Sequence, residues 1–182
     1  MIYEPNDDSF LLRNFVLKYA HGKVLDMGTG SGIQAEAALK KASEVLAADI
    51  NPEAVSFCQD KGIQAIQSDL FENVEGKFDV IIFNPPYLPL EKEYAGITFT
   101  EEDFNYVNDI ALVGGKYGWE TIDRFLQHAK LYLKKDGKIL LSFSSLSGDV
   151  ESFMEKYGYK FKKIGEQRIF FEELYVYLLE VF

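Results

Sequence analysis

The segment that most constrains this chain is Val24-Leu25-Asp26-Met27-Gly28-Thr29-Gly30-Ser31-Gly32, an apolar strand that runs into a bend with glycine at every second position. Glycine accepts positive φ and lets a ligand approach the backbone. A helical pattern follows directly, so the segment predicts a strand, a tight turn and a helix. The same alternation continues along the chain. A first helix is predicted from Asp8 to Tyr19, where Leu11, Leu12, Phe15, Val16 and Tyr19 share a face behind a polar opening. Strands are predicted at Lys23–Met27, Val45–Asp49, Ile63–Gln67 and Phe78–Phe83, and helices at Ile33–Lys41 and, opened by Asn51, Pro52–Lys61. Leu88–Tyr106 is mixed, acidic and aromatic, and a loop or lid is expected there. Beyond it come a helix over Trp119–Leu133, a strand over Lys138–Ser144, a helix over Asp149–Tyr157 and two terminal strands, Tyr159–Ile164 and Leu174–Phe182. Such alternation predicts an α/β sheet covered on both faces, with any ligand at the carboxyl ends of the strands.

A chain of 182 residues supports one sizeable core. We therefore expect a single domain over 1–182, with 1–22 forming an N-terminal helix and a segment that covers the ligand. No apolar run approaches the ~18 residues of a membrane helix, and the start is acidic rather than basic. The lone Cys58 closes no intrachain disulfide, and His21 and His128 are far apart, so no zinc cluster is visible and no metal is expected. A cytoplasmic setting fits. The 19 basic against 29 acidic residues, net −10, disfavour unaided binding to a phosphate backbone and tilt the reading toward a protein substrate or a helper subunit.

The glycine spacing is G-x-G-x-G, and Ile33 stands where the dinucleotide fingerprint needs its last glycine. A Walker phosphate loop is also missing, since no G-K-[ST] follows. Asp49 ends the second strand, where a carboxylate accepts hydrogen bonds from ribose hydroxyls. Asp26, before the turn, is expected to face the cationic amino-acid end of a cofactor, and Asp69, after the third strand, to accept from an adenine amino group. A ring of carboxylates repels phosphate but suits S-adenosylmethionine, which carries an adenosine, an ammonium and a sulfonium. The plainer alternative is that these aspartates only cap helices and end strands.

Asn84-Pro85-Pro86-Tyr87 directly follows the apolar strand Phe78–Phe83 and should open on the same edge as the glycine turn. Its prolines fix φ and donate no hydrogen bond. The Asn84 side-chain oxygen and the Pro85 carbonyl can then grip both hydrogens of one planar NH₂ group, while Tyr87 stacks on its flat face. Such a nitrogen is weakly nucleophilic, so positioning and acceptance of developing positive charge are what a protein can add. Taken alone, the turn is equally an ordinary rigid loop.

Gly28-Thr29-Gly30-Ser31-Gly32, Asp49, Asp69-Leu70 and Asn84-Pro85-Pro86-Tyr87, in this order, resemble class I S-adenosylmethionine-dependent methyltransferases that act on planar nitrogens. With the N-terminal Tyr3-Glu4-Pro5-Asn6-Asp7-Asp8-Ser9-Phe10-Leu11-Leu12 and the later Ala111-Leu112-Val113-Gly114-Gly115-Lys116-Tyr117-Gly118, the chain is similar to the archaeal and eukaryotic branch of HemK-type release-factor glutamine methyltransferases. The resemblance implies a Rossmann-like fold: a seven-stranded, mostly parallel sheet with an antiparallel C-terminal strand and helices on both faces. It implies methylation of the glutamine side-chain amide in the Gly-Gly-Gln motif of a class I translation release factor. By position, Ser9, Asp26, Gly28, Gly30, Gly32, Asp49, Ile50, Asp69, Leu70 and Asn84 would contact the cofactor. Asn84, Pro85, Pro86 and Tyr87 would hold the substrate, with Asn84, Pro85 and Tyr87 at the chemistry. The family also implies a small zinc-binding activator as partner.

The main rival is an adenine amino-group methyltransferase on DNA or RNA, because the same grip serves an extruded base. A protein lysine methyltransferase and a noncatalytic binding module rank lower. Phe170, Phe171, Tyr175 and Tyr177 are read as core before partner surface, Trp119 as packing, and His128 as without a catalytic role.

Overall fold

A computed structural model describes residues 2, 4–89, 93–94, 97–98, 112–170 and 172–181. The chain opens with helix α1 (Asp7–Tyr19), capped by Asn6, whose side chain accepts from the Asp7 amide at 2.9 Å. Strand β1 (Lys23–Met27), helix α2 (Ile33–Ala38), strand β2 (Glu44–Asp49), helix α3 (Pro52–Asp60), strand β3 (Ala65–Gln67) and strand β4 (Phe78–Phe83) follow in alternation. The short strands β5 (Leu88–Pro89), β6 (Glu93–Tyr94), β7 (Ile97–Thr98) and β8 (Val113–Gly115) form two small pairs, β5 with β8 and β6 with β7. Helix α4 (Glu120–Ala129), strand β9 (Leu133–Ser144), helix α5 (Val150–Lys156) and the hairpin β10 (Tyr159–Ile169) and β11 (Glu172–Val181) complete it.

The main sheet runs β10-β11-β9-β4-β1-β2-β3. Pairings among β3, β2, β1, β4 and β9 are parallel, and β11 alone runs against its neighbours. The α/β expectation, with seven strands and an antiparallel C-terminal strand, holds. Alternation along the strands supplies both faces. On β4, Val80 and Ile82 point toward the side of α1, α2 and α3, with Leu12, Val16, Ala35 and Val55. Ile81 and Phe83 point to the other side, with Ile122 and Phe125 of α4 and Met154 of α5. Strands so covered read as continuous apolar runs, which is why Phe78–Phe83 was legible.

Register positions the ligand edge. Met27 lies opposite both Ala48 and Phe83, and Asp49 lies opposite Gln67. The chain therefore leaves β1, β2, β3 and β4 at nearly one level, bringing together Gly28, Asp49, Ser68 and Asn84. The order of strands reverses between β1 and β4, where open α/β sheets form their crevice.

Several boundaries differ from the sequence reading. The helix expected over Trp119–Leu133 stops at Ala129 and tightens into a 3₁₀ turn over Lys130–Tyr132, because Leu133 already pairs with Phe78. Strand β9 accordingly starts before Lys138 and accommodates Asp136 at φ 64. Strand β10 continues past Ile164 to Ile169, pairing through Arg168 with Glu173. Polar side chains on this edge strand hid its length, since only one face needs to be apolar. Helix α2 ends at Ala38 rather than Lys41, in a run of turns. Most of Leu88–Tyr106, expected as a loop or lid, lies outside the described residues, as does Phe171. Tyr177 is buried in the core and Tyr175 packs against it, whereas Phe170 is 98% exposed. Trp119 packs between Tyr117 and Phe153. Among the described residues no helix is long and apolar enough to cross a membrane.

Candidate active site

The four strand ends enclose a cleft of about 730 Å³, within the range of small-molecule and cofactor sites. Its floor is the glycine turn. Gly28 and Gly30 have φ of 62° and 51°, and a Cβ on Gly28 would stand 3.2 Å from the Phe83 ring. The bare backbone therefore forms one wall of the cleft.

Asp49, 9% exposed, anchors that wall. One carboxylate oxygen accepts from the Gly30 amide at 2.8 Å and the other from the Asn51 amide at 2.9 Å. Each oxygen keeps a second lone pair for a ligand hydroxyl. Burial raises its pKa, opposed by those backbone donors. Ile50, 44% exposed, and Leu70 add apolar surface beside it. Leu70 is held at φ 48, with its carbonyl accepting from the Ser68 hydroxyl at 2.7 Å. Asp69 borders the cleft and pairs with Arg124 of α4 at 2.9 Å.

Asp26 and Gly32 lie behind the residues that border the cleft. Asp26 turns beneath the glycine loop, where one oxygen accepts from the Thr29 hydroxyl at 2.7 Å and from the Ala35 amide at 3.0 Å. Through that oxygen it fastens the loop to the start of α2. Burial pushes its pKa up to about 7, against the lowering effect of Thr29 and Ala35 and with a smaller raising contribution from the Asp49 charge. Gly32, at φ 81, is the N-cap of α2. A Cβ there would sit 3.0 Å from the Cys58 sulfur, so its role is close packing behind the turn.

Across the cleft, Asn84, Pro85, Pro86 and Tyr87 line the wall as the sequence suggested. The Asn84 Nδ2 donates to the Asp8 carboxylate at 3.0 Å, and its Oδ1 is buried with no partner among the described residues. The Tyr87 hydroxyl also points at Asp8, at 3.5 Å. Behind the turn, β8 packs so closely that a Cβ on Gly114 would stand 2.5 Å from the Pro86 carbonyl and 2.4 Å from that of Gly118. This contact explains the glycine-rich segment after Val113: it clamps the Asn84 turn from outside. Ser9 is buried beside Asp8, and its carbonyl accepts from Gln34 at 2.9 Å, tying α1 to α2.

The sequence reading missed Asp8, Gln34, Arg124 and Glu172 as cleft residues. Asp8 stands in the N-terminal motif that carries the family resemblance, but by itself it reads as an acid in the first turn of a helix, where acids are common. Glu172, whose Oε2 is buried without a partner among the described residues, comes from the last strand and carried no local signal. Burial raises its pKa, countered by the Ser144 hydroxyl and reinforced by Asp8. With Asp8, Asp49, Asp69 and Glu172 against Arg124, which is already paired, the cleft favours a cationic ligand and repels phosphate. An adenosine with a cationic tail and no phosphate fits this donor set. No cluster of metal-binding side chains occurs among the described residues.

Comparison with known proteins agrees with this geometry. The family model described as the methyltransferase small domain matches residues 7–100. The chain belongs to this methyltransferase family. A protein from Methanocaldococcus jannaschii that carries the name protein N5-glutamine methyltransferase is 39% identical over 184 residues, covering 96% of this chain and 89% of the relative. The release factor glutamine methyltransferase of Lactococcus lactis is 31% identical over 79% of this methyltransferase, which spans only 56% of that enzyme. Among solved structures, a chain of the E. cuniculi Mtq2–Trm112 complex, described as responsible for methylation of the translation termination factor eRF1, superposes with a TM-score of 0.77. It is 26% identical, with 100% of this chain and 99% of that one covered.

Proposed function

We propose that this methyltransferase, acting as a single domain over residues 1–182, moves the methyl group of S-adenosylmethionine to the side-chain amide nitrogen of the glutamine in a release factor's Gly-Gly-Gln motif. The observation that carries the reading is the orientation of Asn84. Its nitrogen is tied to Asp8, so its buried Oδ1 is left to accept one hydrogen of an incoming NH₂. The Pro85 carbonyl, from the same turn, serves the other hydrogen. When bound, S-adenosylmethionine supplies a methyl group on a sulfonium as the electrophile. Ser9, Gly28, Gly30, Asp49, Ile50, Asp69 and Leu70 are the residues we assign to holding it.

Transfer would join the amide nitrogen to the methyl carbon at the expense of the carbon–sulfur bond, whose electrons would stay on sulfur. The nitrogen gains positive charge, and a proton then leaves it for solvent. Hydrogen bonds accepted by Asn84 and Pro85 strengthen as that charge develops, so they favour the transition state over the bound substrate. Tyr87 holds the plane of the amide, which keeps the nitrogen lone pair in line. The M. jannaschii and L. lactis relatives support glutamine as acceptor by their names, and the E. cuniculi complex, described as methylating a translation termination factor, supports a release factor as substrate and a small activator as partner. We place the activity in the cytoplasm, where release factors work.

The test is transfer of labelled methyl to a release factor, with and without a small zinc-binding activator, beside a Gln→Ala release factor and an oligonucleotide. Label is expected on the Gly-Gly-Gln peptide alone and is expected to vanish in the Gln→Ala factor. Label on the oligonucleotide only, or undiminished transfer to the Gln→Ala factor, refutes the glutamine reading.

A further inference from the structure

We infer that Asp8 is a positioning residue that sets the polarity of the acceptor grip by holding the Asn84 amide in one of its two orientations. The inference rests on the proposed transfer to an NH₂ group and names a residue that reading leaves unassigned. An asparagine amide is nearly symmetric in shape, so packing alone does not decide which end faces the substrate. The decision needs a neighbour that is only an acceptor or only a donor. Asp8 is such a neighbour. Its Oδ2 lies 3.0 Å from the Asn84 Nδ2, and a carboxylate accepts but does not donate. The oxygen of Asn84 is then turned away, buried and unpartnered among the described residues, as an acceptor for the reacting amine.

Asp8 is itself held. Its other oxygen accepts from the Ser9 amide at 2.5 Å and from the Ser9 hydroxyl at 3.1 Å, and the side chain is 5% exposed. The residue sits in the first turn of α1, a helix packed on the sheet through Leu12 and Val16, both fully buried. The carboxylate is thus fixed to the fold, and the flexible-looking Asn84 is set against it. Tyr87 shares the same oxygen, so one carboxylate aligns both side chains of the turn.

The isosteric change Asp8→Asn separates this role from packing. Its Oδ1 keeps the Ser9 amide satisfied, while its Nδ2 faces Asn84 and forces that amide to flip, presenting NH₂ to NH₂. We expect kcat for the accepted amine, measured at saturating S-adenosylmethionine, to fall about a hundredfold. In an Asn84→Ala background the same change should alter kcat less than about twofold, since there is no amide left to orient. The polarity swap Asp8→Asn with Asn84→Asp restores an acceptor, because Asn at 8 donates to one oxygen of Asp at 84 and leaves the other for the amine. It should recover at least about tenfold over Asp8→Asn alone, which a merely structural role for Asp8 does not predict.

A wild-type measurement covers both a variant that fails to fold and an acceptor other than glutamine. In the ¹⁵N-labelled protein with S-adenosylhomocysteine, the Asn84 side-chain amide, assigned by its loss in Asn84→Ala, should show one slowly and one rapidly exchanging hydrogen. Equal, rapid exchange of both overturns the inference, as does wild-type kcat in Asp8→Asn or a swap variant no faster than Asp8→Asn. Failure of the glutamine reading appears separately, as transfer to the Gln→Ala release factor by the wild-type enzyme.

Discussion

Replacing Asp26 by asparagine should change how stability depends on pH, and the sign follows from its burial. The carboxyl is 1% exposed, and its pKa stands at about 7 against an ordinary 3.8. Below both values the acid is neutral in the folded and unfolded chains and contributes no pH dependence. Between them the unfolded chain loses the proton while the folded one keeps it, so the folded state binds more protons and stability falls as pH rises. Above about pH 7 both forms are ionised and the loss is complete. A tenfold difference in proton affinity between the folded and unfolded chains is worth about 1.4 kcal/mol, so the whole effect is roughly 4 kcal/mol, of which roughly 3 kcal/mol falls between pH 5 and 8. Asparagine resembles the neutral acid in shape and can still accept from Thr29 and Ala35 at the atom that now accepts both. The stability difference, Asp26→Asn minus wild type, should therefore grow in favour of the variant by about 1.4 kcal/mol per pH unit from pH 5 to 7 and then level. Urea unfolding of both proteins at each pH measures it, and titrating groups that do not interact with Asp26 cancel in the difference. A difference that stays flat from pH 5 to 8 refutes the assignment of a raised pKa to Asp26.

Other substitutions probe the cleft and the core. Gly114→Ala places a methyl group 2.5 Å from the Pro86 carbonyl, so the Asn84 turn must shift; methyl transfer should fall on the order of a hundredfold while S-adenosylhomocysteine binding by calorimetry changes little. Asp49→Ala leaves the Gly30 amide without its 2.8 Å acceptor and removes a carboxylate from the cleft lining. Cofactor affinity should drop about 10- to 100-fold, and an unchanged Kd contradicts its assignment to the ribose. Phe125, fully buried, packs its ring 4.5 Å from Phe83 and 5.4 Å from Phe71. Phe125→Ala should cost about 3–5 kcal/mol in urea unfolding, and a loss below about 1 kcal/mol would show that the α4 face closes without it.

Much of the fold could be read from contiguous residues. The run Phe78–Phe83 is apolar but for Asp79 because β4 is covered on both faces, and the helix of Pro52–Asp60 announces itself by Asn51 and Pro52, a cap and a first-turn residue. The glycine turn and the Asn84 turn were legible for the same reason: each is a local backbone geometry that needs particular residues in sequence. The β10 extension and the early start of β9 were not, because antiparallel and parallel pairing are decided by a partner strand. Phe78 and Leu133 meet only once the sheet is assembled. Asp26 shows the limit within the site itself. Its position before the turn marks it in the sequence, but the direction of its carboxylate is set in three dimensions, by Thr29 and Ala35.

The sequence by itself therefore determined the alternating architecture, the sheet edge at which the cleft opens and the chemical character of two turns, since helix and strand periodicity and glycine and proline geometry are short-range properties of the chain. Tertiary structure decided which side chains act together at that level. Asp8 reaches Asn84 across 76 positions, and Arg124 reaches Asp69 across 55. No local pattern encodes such pairs. They arise because the register of β1, β2, β3 and β4 brings their ends to one edge, and because α1, α4 and β11 are packed where their polar residues meet it.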